Sequence, residues 1–386
     1  MEKDLVDILH RCFRCGWCKF PANYQDLNCP AYLRYRFESF SAGGRMWLIR
    51  AWLNKEIKTS ERLSQILFSC ATCKNCVEAC AIPQIKDSLV DIFIAARQDM
   101  VEDGIIPPPA RDYLKAMSIS GNPYKRPQEE RGKWAEGLDI PRYTDQEYLF
   151  YVGDEGCFDD LGIRMTRSIA QLLLTSGVSF GILGADEQSD GNETHALGET
   201  GLFTEIARQN IEAWNRIGVR KIITISPHAY HALRNEYPKD GPGFLVYHYT
   251  QVLSTVVQQH PVKRESSARV TYHDSCYLGR WNRIYLEPRA ILNSIKGLTL
   301  IEMDRSMQNA LCCGGGGGNF FTDILGTGSD LSSRARIREA LTTGADIIAV
   351  SCPQCFRMLD DAVKAQDAQE KIRVMEISEI MNAALT

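Results

Sequence analysis

From residue 148 onward, short β-branched and aromatic runs alternate with longer stretches of helical periodicity. YLFYV (148–152), KIITI (221–225), RVTYH (269–273), LTLIE (298–302) and DIIAVS (346–351) read as strands. Residues 164–176, 204–217, 245–259, 288–296 and 330–343 read as the helices between them. Alternation of this kind predicts an α/β fold with largely parallel sheets. Nearer the start, DSLVDIFIAARQDMVEDG sets Leu89, Ile92, Phe93, Ala96 and Met100 at near-helical spacing, with Asp87 as expected N-cap and Gly104 as the stop. Pro107, Pro108, Pro109, Pro123, Pro127 and Pro141 then punctuate a stretch with charged runs, which predicts a linker over 105–145. The expected division is a helical unit at 1–104, that linker, and two α/β units at 146–262 and 263–386.

The two α/β units read as copies of one repeat. The second runs from Cys276 through Cys312-Cys313-Gly314 to Ser351-Cys352-Pro353-Gln354-Cys355-Phe356. The first has Cys157, Ser189-Asp190-Gly191 and Ile225-Ser226-Pro227-His228-Ala229-Tyr230 at closely similar gaps. Ser189, Asp190, Ser226 and Ala229 therefore stand where the second copy has cysteines, and the first copy reads as a degenerate scaffold half.

Composition narrows the class. Across 386 residues, 44 Lys+Arg against 48 Asp+Glu leave a formal charge of −4, which gives no basis for a nucleic-acid or anionic-membrane surface. No run approaches the roughly 18 apolar residues of a membrane span, and MEKDLVDILHRC lacks an apolar signal core. A cytoplasmic location is the expectation. Against that setting, 14 cysteines in clusters argue for metal or redox chemistry over a disulfide framework.

Two sets lie near the start: Cys12, Cys15, Cys18 and Cys29 as C-x2-C-x2-C-x10-C-P, and Cys70, Cys73, Cys76 and Cys80 as C-x2-C-x2-C-x3-C. Three thiolates at this spacing wrap one face of a [4Fe–4S] cubane, and in two-cluster ferredoxins the fourth cysteine serves the other cluster. Cys12, Cys15, Cys18 and Cys80 are thus expected around one cubane and Cys70, Cys73, Cys76 and Cys29 around a second. Zinc sites normally show two separated C-x2-C hooks, not three consecutive ones. The Arg-rich, aromatic segment between the sets offers Arg34, Arg36, Arg45 and Arg50 as contacts for a redox partner, or as an ordinary solvated face.

C-x35-C-C-G-x37-C-P-x-C, carried by TYHDSCYLGR (271–280), LCCGGGGGN (311–319) and SCPQCFRML (351–359), resembles the cysteine-rich CCG domain of heterodisulfide reductase. Two tandem copies behind a two-cluster ferredoxin module resemble the D component of that family. The iron–sulfur subunits of glycolate, lactate and glycerol-3-phosphate oxidoreductases and of soluble class II benzoyl-CoA reductase complexes are similar. The resemblance implies a noncubane [4Fe–4S] cluster on Cys276, Cys312, Cys313, Cys352 and Cys355, with four-thiolate zinc as the alternative. It implies partners too: a flavin-containing protein like the A component of heterodisulfide reductase, together with a catalytic redox subunit. The degenerate first copy departs from heterodisulfide reductases that use two noncubane clusters. Gly314–Gly318 are expected to bring backbone N–H groups to the cluster sulfurs. His273 and Asp274 are candidates for orienting a ligand or donating a proton, His273 equally for a structural role. Arg280 is a candidate anion or partner contact; His228 and His231, with no carboxylate or thiol beside them in sequence, read as structural, and Cys157 as a relic or a buried apolar thiol. No dinucleotide fingerprint follows a strand, and no Ser–His–Asp signature is legible. The expected function is electron transfer within a larger complex, with a thiol–disulfide reductase and a ferredoxin fused to a zinc-stabilised docking module as alternatives.

Overall fold

A computed structural model describes residues 1–20, 26–237, 243–259 and 267–385. The expected boundary at 262–263 lies outside them. Each α/β unit is a four-stranded, all-parallel sheet. In the first, β1 (Tyr148–Tyr151), β2 (Phe180–Gly181), β3 (Lys221–Thr224) and β4 (Leu245–His248) lie in the order 2-1-3-4. In the second, β5 (Arg269–Tyr272), β6 (Thr299–Leu300), β7 (Ile347–Val350) and β8 (Arg373–Glu376) lie in the order 6-5-7-8, the same topology. Registers correspond too: Leu149 pairs Ile222 across the first sheet and Val270 pairs Ile347 across the second. The central strands are β-branched and buried on both faces, as parallel strands covered by helices require.

One core runs through both sheets, joining Phe150 and Ile223 of the first to Val270 and Ile348 of the second. The helix Asp160–Thr175 supplies part of the seam. Asp159 caps it by accepting from the Gly162 N–H at 3.0 Å, and Leu161, Met165, Ile169, Leu172 and Leu173 make its buried stripe. The N-terminal unit is helical and has a second core, built on Met46, Ile49, Leu67, Phe68, Ile92, Phe93, Ala96 and Met100 and reaching Leu197 of the first repeat.

Three expectations change. Residues 105–145 are packed structure, not a slack connection: Pro108 and Pro109 open a helix running to Ser120, a 3-10 stretch spans Gln128–Ala135, and Arg131 and Trp134 are buried. Proline's fixed φ suits the first turn of a helix, so the triple proline is a start signal there. The helix after Cys80 spans Leu89–Glu102 with Ser88 at its N-cap, leaving Asp87 outside, while Gly104 does take the left-handed position beyond its end. The sequence pattern does not mark β2, β4 or β8, all three at a sheet edge, and the first residues of the helix expected at 245–259 form β4. No described helix is long and apolar enough to cross a membrane.

Candidate functional site

All 14 cysteines carry free thiols. In space, Cys80 sits with Cys12 and Cys15, and Cys18 faces Cys12, Cys15 and Cys29. Cys29 in turn faces Cys70 and Cys73, and one cavity is lined by Cys29, Cys70, Cys73 and Cys76 together with Arg45. Four thiols around one enclosed space are the donor set a cubane takes. Burial pushes the Cys18 thiol up to about 12, although the Gly43 N–H donates to its sulfur at 3.2 Å. A thiolate here needs a strong local positive charge, which a bound metal centre supplies.

The second repeat gathers its five cysteines at the carboxyl ends of its strands, where open parallel sheets place their sites. Cys276 follows β5, Cys312 and Cys313 lie in the loop after β6, and Cys352 and Cys355 bracket the start of the helix Pro353–Lys364 after β7. Cys312 Sγ lies 3.8 Å from Cys276 Sγ and Cys313 Sγ lies 3.4 Å from Cys355 Sγ, all five residues being buried. A ring nitrogen of His273 and the sulfurs of Cys313 and Cys355 lie within 4.8 Å of one another. Arg336 Nε donates to His273 Nδ1 at 3.2 Å, which leaves Nε2 as the protonated nitrogen. Burial opposes ionisation of Cys352, but contacts with Cys355 and His228 bring its pKa down to about 5. Contacts with Cys312 and Cys355 hold Cys313 well below the ordinary thiol range. Five converging thiols, two of them poised to ionise, with an imidazole beside them, fit a bound metal centre.

This site and the second N-terminal set meet directly. Cys73 and Cys312 are in thiol–thiol contact. Arg280 bridges the two loops, its Nε donating to the Cys73 carbonyl and its Nη1 to that of Ala310, both at 2.6 Å. Burial works against its charge, but the thiols of Cys73, Cys276 and Cys312 outweigh that and keep the guanidinium protonated. Trp281 Nε1 donates to the Thr72 carbonyl at 2.8 Å, and Thr72 Oγ1 pairs with Tyr277 Oη at 2.9 Å. The glycine run shares in this contact. Gly314 N–H donates to Cys312 Sγ at 3.2 Å, as expected, but Gly316 and Gly317 leave room for the carbonyls of Ala71 and Cys70, and Gly318 donates to Glu193. Most of the run is a close-approach surface between modules.

Sequence reasoning missed Arg97. It is buried in the helix Leu89–Glu102 and donates to the carbonyls of Leu67, Phe68, Cys70, Ala196 and Gly317, so one guanidinium ties the N-terminal unit to both repeats.

Several candidates take other roles. Asp274 accepts from Arg289 Nη1 and Nη2 at 2.8 and 3.0 Å and from the Met307 N–H at 2.8 Å. With both oxygens engaged as acceptors, it anchors the loop. Arg280 and Arg45 are buried, so neither is a surface contact; Arg45 donates to the Ile66 carbonyl and Ser69 Oγ. Cys157 is buried, but beside Arg131 and Glu187, each 3.9 Å from its sulfur, in a charged setting. His228 and His231 do have partners. His228 Nδ1 lies 2.5 Å from Glu193 Oε1 and the ring meets Cys352, while His231 Nε2 lies 3.0 Å from Glu236 Oε1. Burial disfavours the His228 charge, yet Glu193 and Cys352 hold its pKa well above the ordinary value. The His228 pairings join residues far apart in sequence, so no local motif announces them, whereas His231 and Glu236 lie five residues apart.

Residues 8–82 match the 4Fe-4S dicluster domain and residues 270–360 the cysteine-rich (CCG) domain. A 4Fe-4S dicluster domain joined to a cysteine-rich CCG domain defines the class, that of CCG-domain iron–sulfur proteins. Within it, this chain is related to the D component of heterodisulfide reductase: it is 29% identical to that component of the dihydromethanophenazine:CoB–CoM heterodisulfide reductase of Methanosarcina barkeri, covering 98% of this chain and 94% of that one. It is 36% identical to the probable iron-sulfur-binding oxidoreductase FadF of Bacillus subtilis, covering 82% of this chain and 46% of the relative. It is 30% identical to the EtfAB:quinone oxidoreductase of Syntrophomonas wolfei, covering 99% and 59%. The chain thus spans about half the length of these last two relatives. A crystal structure of a hypothetical protein from Helicobacter pylori shares the fold, with a TM-score of 0.58 at 12% identity over 100% of this chain and 73% of that one.

Proposed function

We propose that this chain is the electron-transfer subunit of a larger redox complex. Cys12, Cys15, Cys18 and Cys80 would hold one [4Fe–4S] cubane, Cys70, Cys73, Cys76 and Cys29 a second, and Cys276, Cys312, Cys313, Cys352 and Cys355 a third, noncubane cluster. When bound, these groups supply one-electron chemistry; the chain supplies their order, burial and N–H donors. The observation that carries the reading is the Cys73–Cys312 contact, which places the second thiol set against the CCG site with no intervening layer of protein. Cys15 is the only exposed cysteine, so the first set faces outward and the series has a direction in space. The relatives named as a heterodisulfide reductase subunit and an EtfAB:quinone oxidoreductase support assembly with other redox subunits; a flavoprotein and a catalytic subunit would be those partners. The compact group of His273, Cys313 and Cys355 favours one competing occupant, zinc in a mixed N/S site. Metal and sulfide analysis of anaerobically purified protein separates them: three [4Fe–4S] clusters give about 12 Fe per chain, two cubanes plus zinc give about 8 Fe and one Zn. The second result would turn the CCG half into a docking platform.

A further inference from the structure

The chain turns back on itself after Cys276: Trp281 N–H donates to the Cys276 carbonyl at 3.1 Å, which returns Arg280 to the side of that cysteine. The guanidinium is buried, and none of its hydrogen-bond partners is an acid. Nε donates to the Cys73 carbonyl at 2.6 Å, and Nη1 to the carbonyls of Ala310 at 2.6 Å and Gln308 at 3.3 Å. Nη2 is buried with no hydrogen-bond partner among the described residues. The other buried guanidiniums of the second repeat do have carboxylates: Arg289 pairs with Asp274, and Arg305 and Arg336 pair with Glu339. A buried charge is strongly disfavoured unless something negative lies near it, and arginine does not shed its proton to escape that cost. What lies near Arg280 is sulfur. Burial opposes its charge, and the thiols of Cys73, Cys276 and Cys312 favour it. Cys73 belongs to the second N-terminal set and the other two to the CCG site, and Cys73 and Cys312 are themselves in contact. The first set has a different setting: the cations acting on Cys12 and Cys80 are Arg14, which is exposed, and Lys86, which is half-buried, so solvent shortens the reach of both.

We propose that Arg280 is a counter-charge shared by two metal centres, raising the reduction potentials of the second dicluster centre and of the CCG centre together. A reduced cluster carries one more negative charge than the oxidised one, and a fixed cation beside it stabilises that form, the more so where little water intervenes. The proposal rests on the reading of both thiol sets as redox clusters. It gives the unpaired Nη2 a negative neighbour, and it gives a reason for arginine at the junction: the planar fork holds backbone carbonyls of two loops while its charge stays fixed between the centres. One charge that moves both potentials in the same direction keeps the two centres matched. It also draws electrons from the outward-facing first set toward the junction.

The test is an anaerobic redox titration, followed by EPR, of the full chain with its clusters. Arg280→Gln keeps an N–H donor on a shorter side chain and removes the charge. At fixed potential it is expected to shift the oxidised-to-reduced ratio of both the CCG centre and the second dicluster centre about tenfold toward oxidised, a fall of about 59 mV for one-electron couples. The first dicluster midpoint stays in place. Arg280→Lys keeps the charge but gives up the fork, and it recovers most of both shifts, which a purely structural role would not allow. Unmoved midpoints in loaded Arg280→Gln protein overturn the proposal. So does a shift confined to one of the two centres, or a lysine variant whose midpoints fall as far as those of the glutamine variant. Should Arg280→Gln take up no iron, the wild-type protein decides. Its two dicluster centres would share the same four-cysteine ligation, so a second midpoint above the first supports the proposal, and one at or below it overturns it. Wild-type protein with about 8 Fe and one Zn removes the underlying reading before any variant is compared.

Discussion

At the scale of single residues, contact between the modules depends on side chains that are absent or hidden. Gly317 has φ +65°, and a Cβ there would strike the carbonyl oxygen of Cys70. Gly317→Ala would combine a left-handed backbone penalty with a steric clash, together about 2–4 kcal/mol. It is expected to lower Tm and to weaken magnetic coupling between the second dicluster centre and the CCG centre, as read by EPR of the reduced protein. Unchanged coupling would mean that the loop yields without moving Cys70–Cys73. The glycine run was legible as a special backbone segment, but its partner was not. The run lies next to Cys313 in sequence, which suggested service to the cluster, whereas Gly316 and Gly317 face residues 70–72. Arg97 shows the same limit, since its helix has an ordinary apolar pattern and nothing local marks a guanidinium with five backbone acceptors.

Among elements, the strands at the sheet centres were legible because parallel, doubly covered strands read as unbroken β-branched runs. The edge strands β2, β4 and β8 carry weaker patterns, β2 being only two residues long. The thiol positions of the intact repeat were legible from spacing, while the loops of the degenerate repeat looked inert once their cysteines were gone. The structure shows what replaced them. Asp154, Glu155, Ser189, Asp190, Asn192, Glu193 and His228 line one polar cavity closed by Gln354. Burial, reinforced by the charge of Asp190, raises Glu155 to about 8; burial also raises Glu187 to about 7 and Asp190 to about 6. For a carboxyl whose native pKa is raised, the unfolded chain releases its proton first. Stability is therefore full below the ordinary carboxylate range and is lost as pH climbs through the native value. Tm should fall by several degrees between about pH 5 and about pH 8.5, and Glu155→Gln, which cannot ionise, should flatten the upper part of that slope. A slope unchanged in Glu155→Gln would assign the loss to other groups.

For the whole molecule, the series of thiol sets has one outward end, and its surroundings differ from the rest of the surface. Around Cys15 the chain exposes Phe13, Trp17, Phe37 and Trp47, and the guanidiniums of Arg14 and Arg50 each lie 5.0 Å from the Trp47 ring. Arg11 and Arg36 are exposed as well, while nearby Glu38 is paired with Lys19 at 2.8 Å. A basic, aromatic rim on a chain of net charge −4 suits an acidic redox protein, because long-range attraction steers the encounter and the aromatics give the contact apolar area. Reduction of the loaded protein by an acidic carrier of the flavodoxin type should then slow as NaCl rises from about 20 to about 200 mM, where screening shortens the reach of these charges. Arg14→Glu combined with Arg50→Glu should lower the low-salt rate about tenfold and remove most of the salt dependence, leaving reduction by a small neutral dye unchanged. If the double variant slows the dye equally, the substitutions have damaged the first thiol set itself. If it slows neither, electrons enter elsewhere, and the outward-facing Cys15 end is not the docking surface.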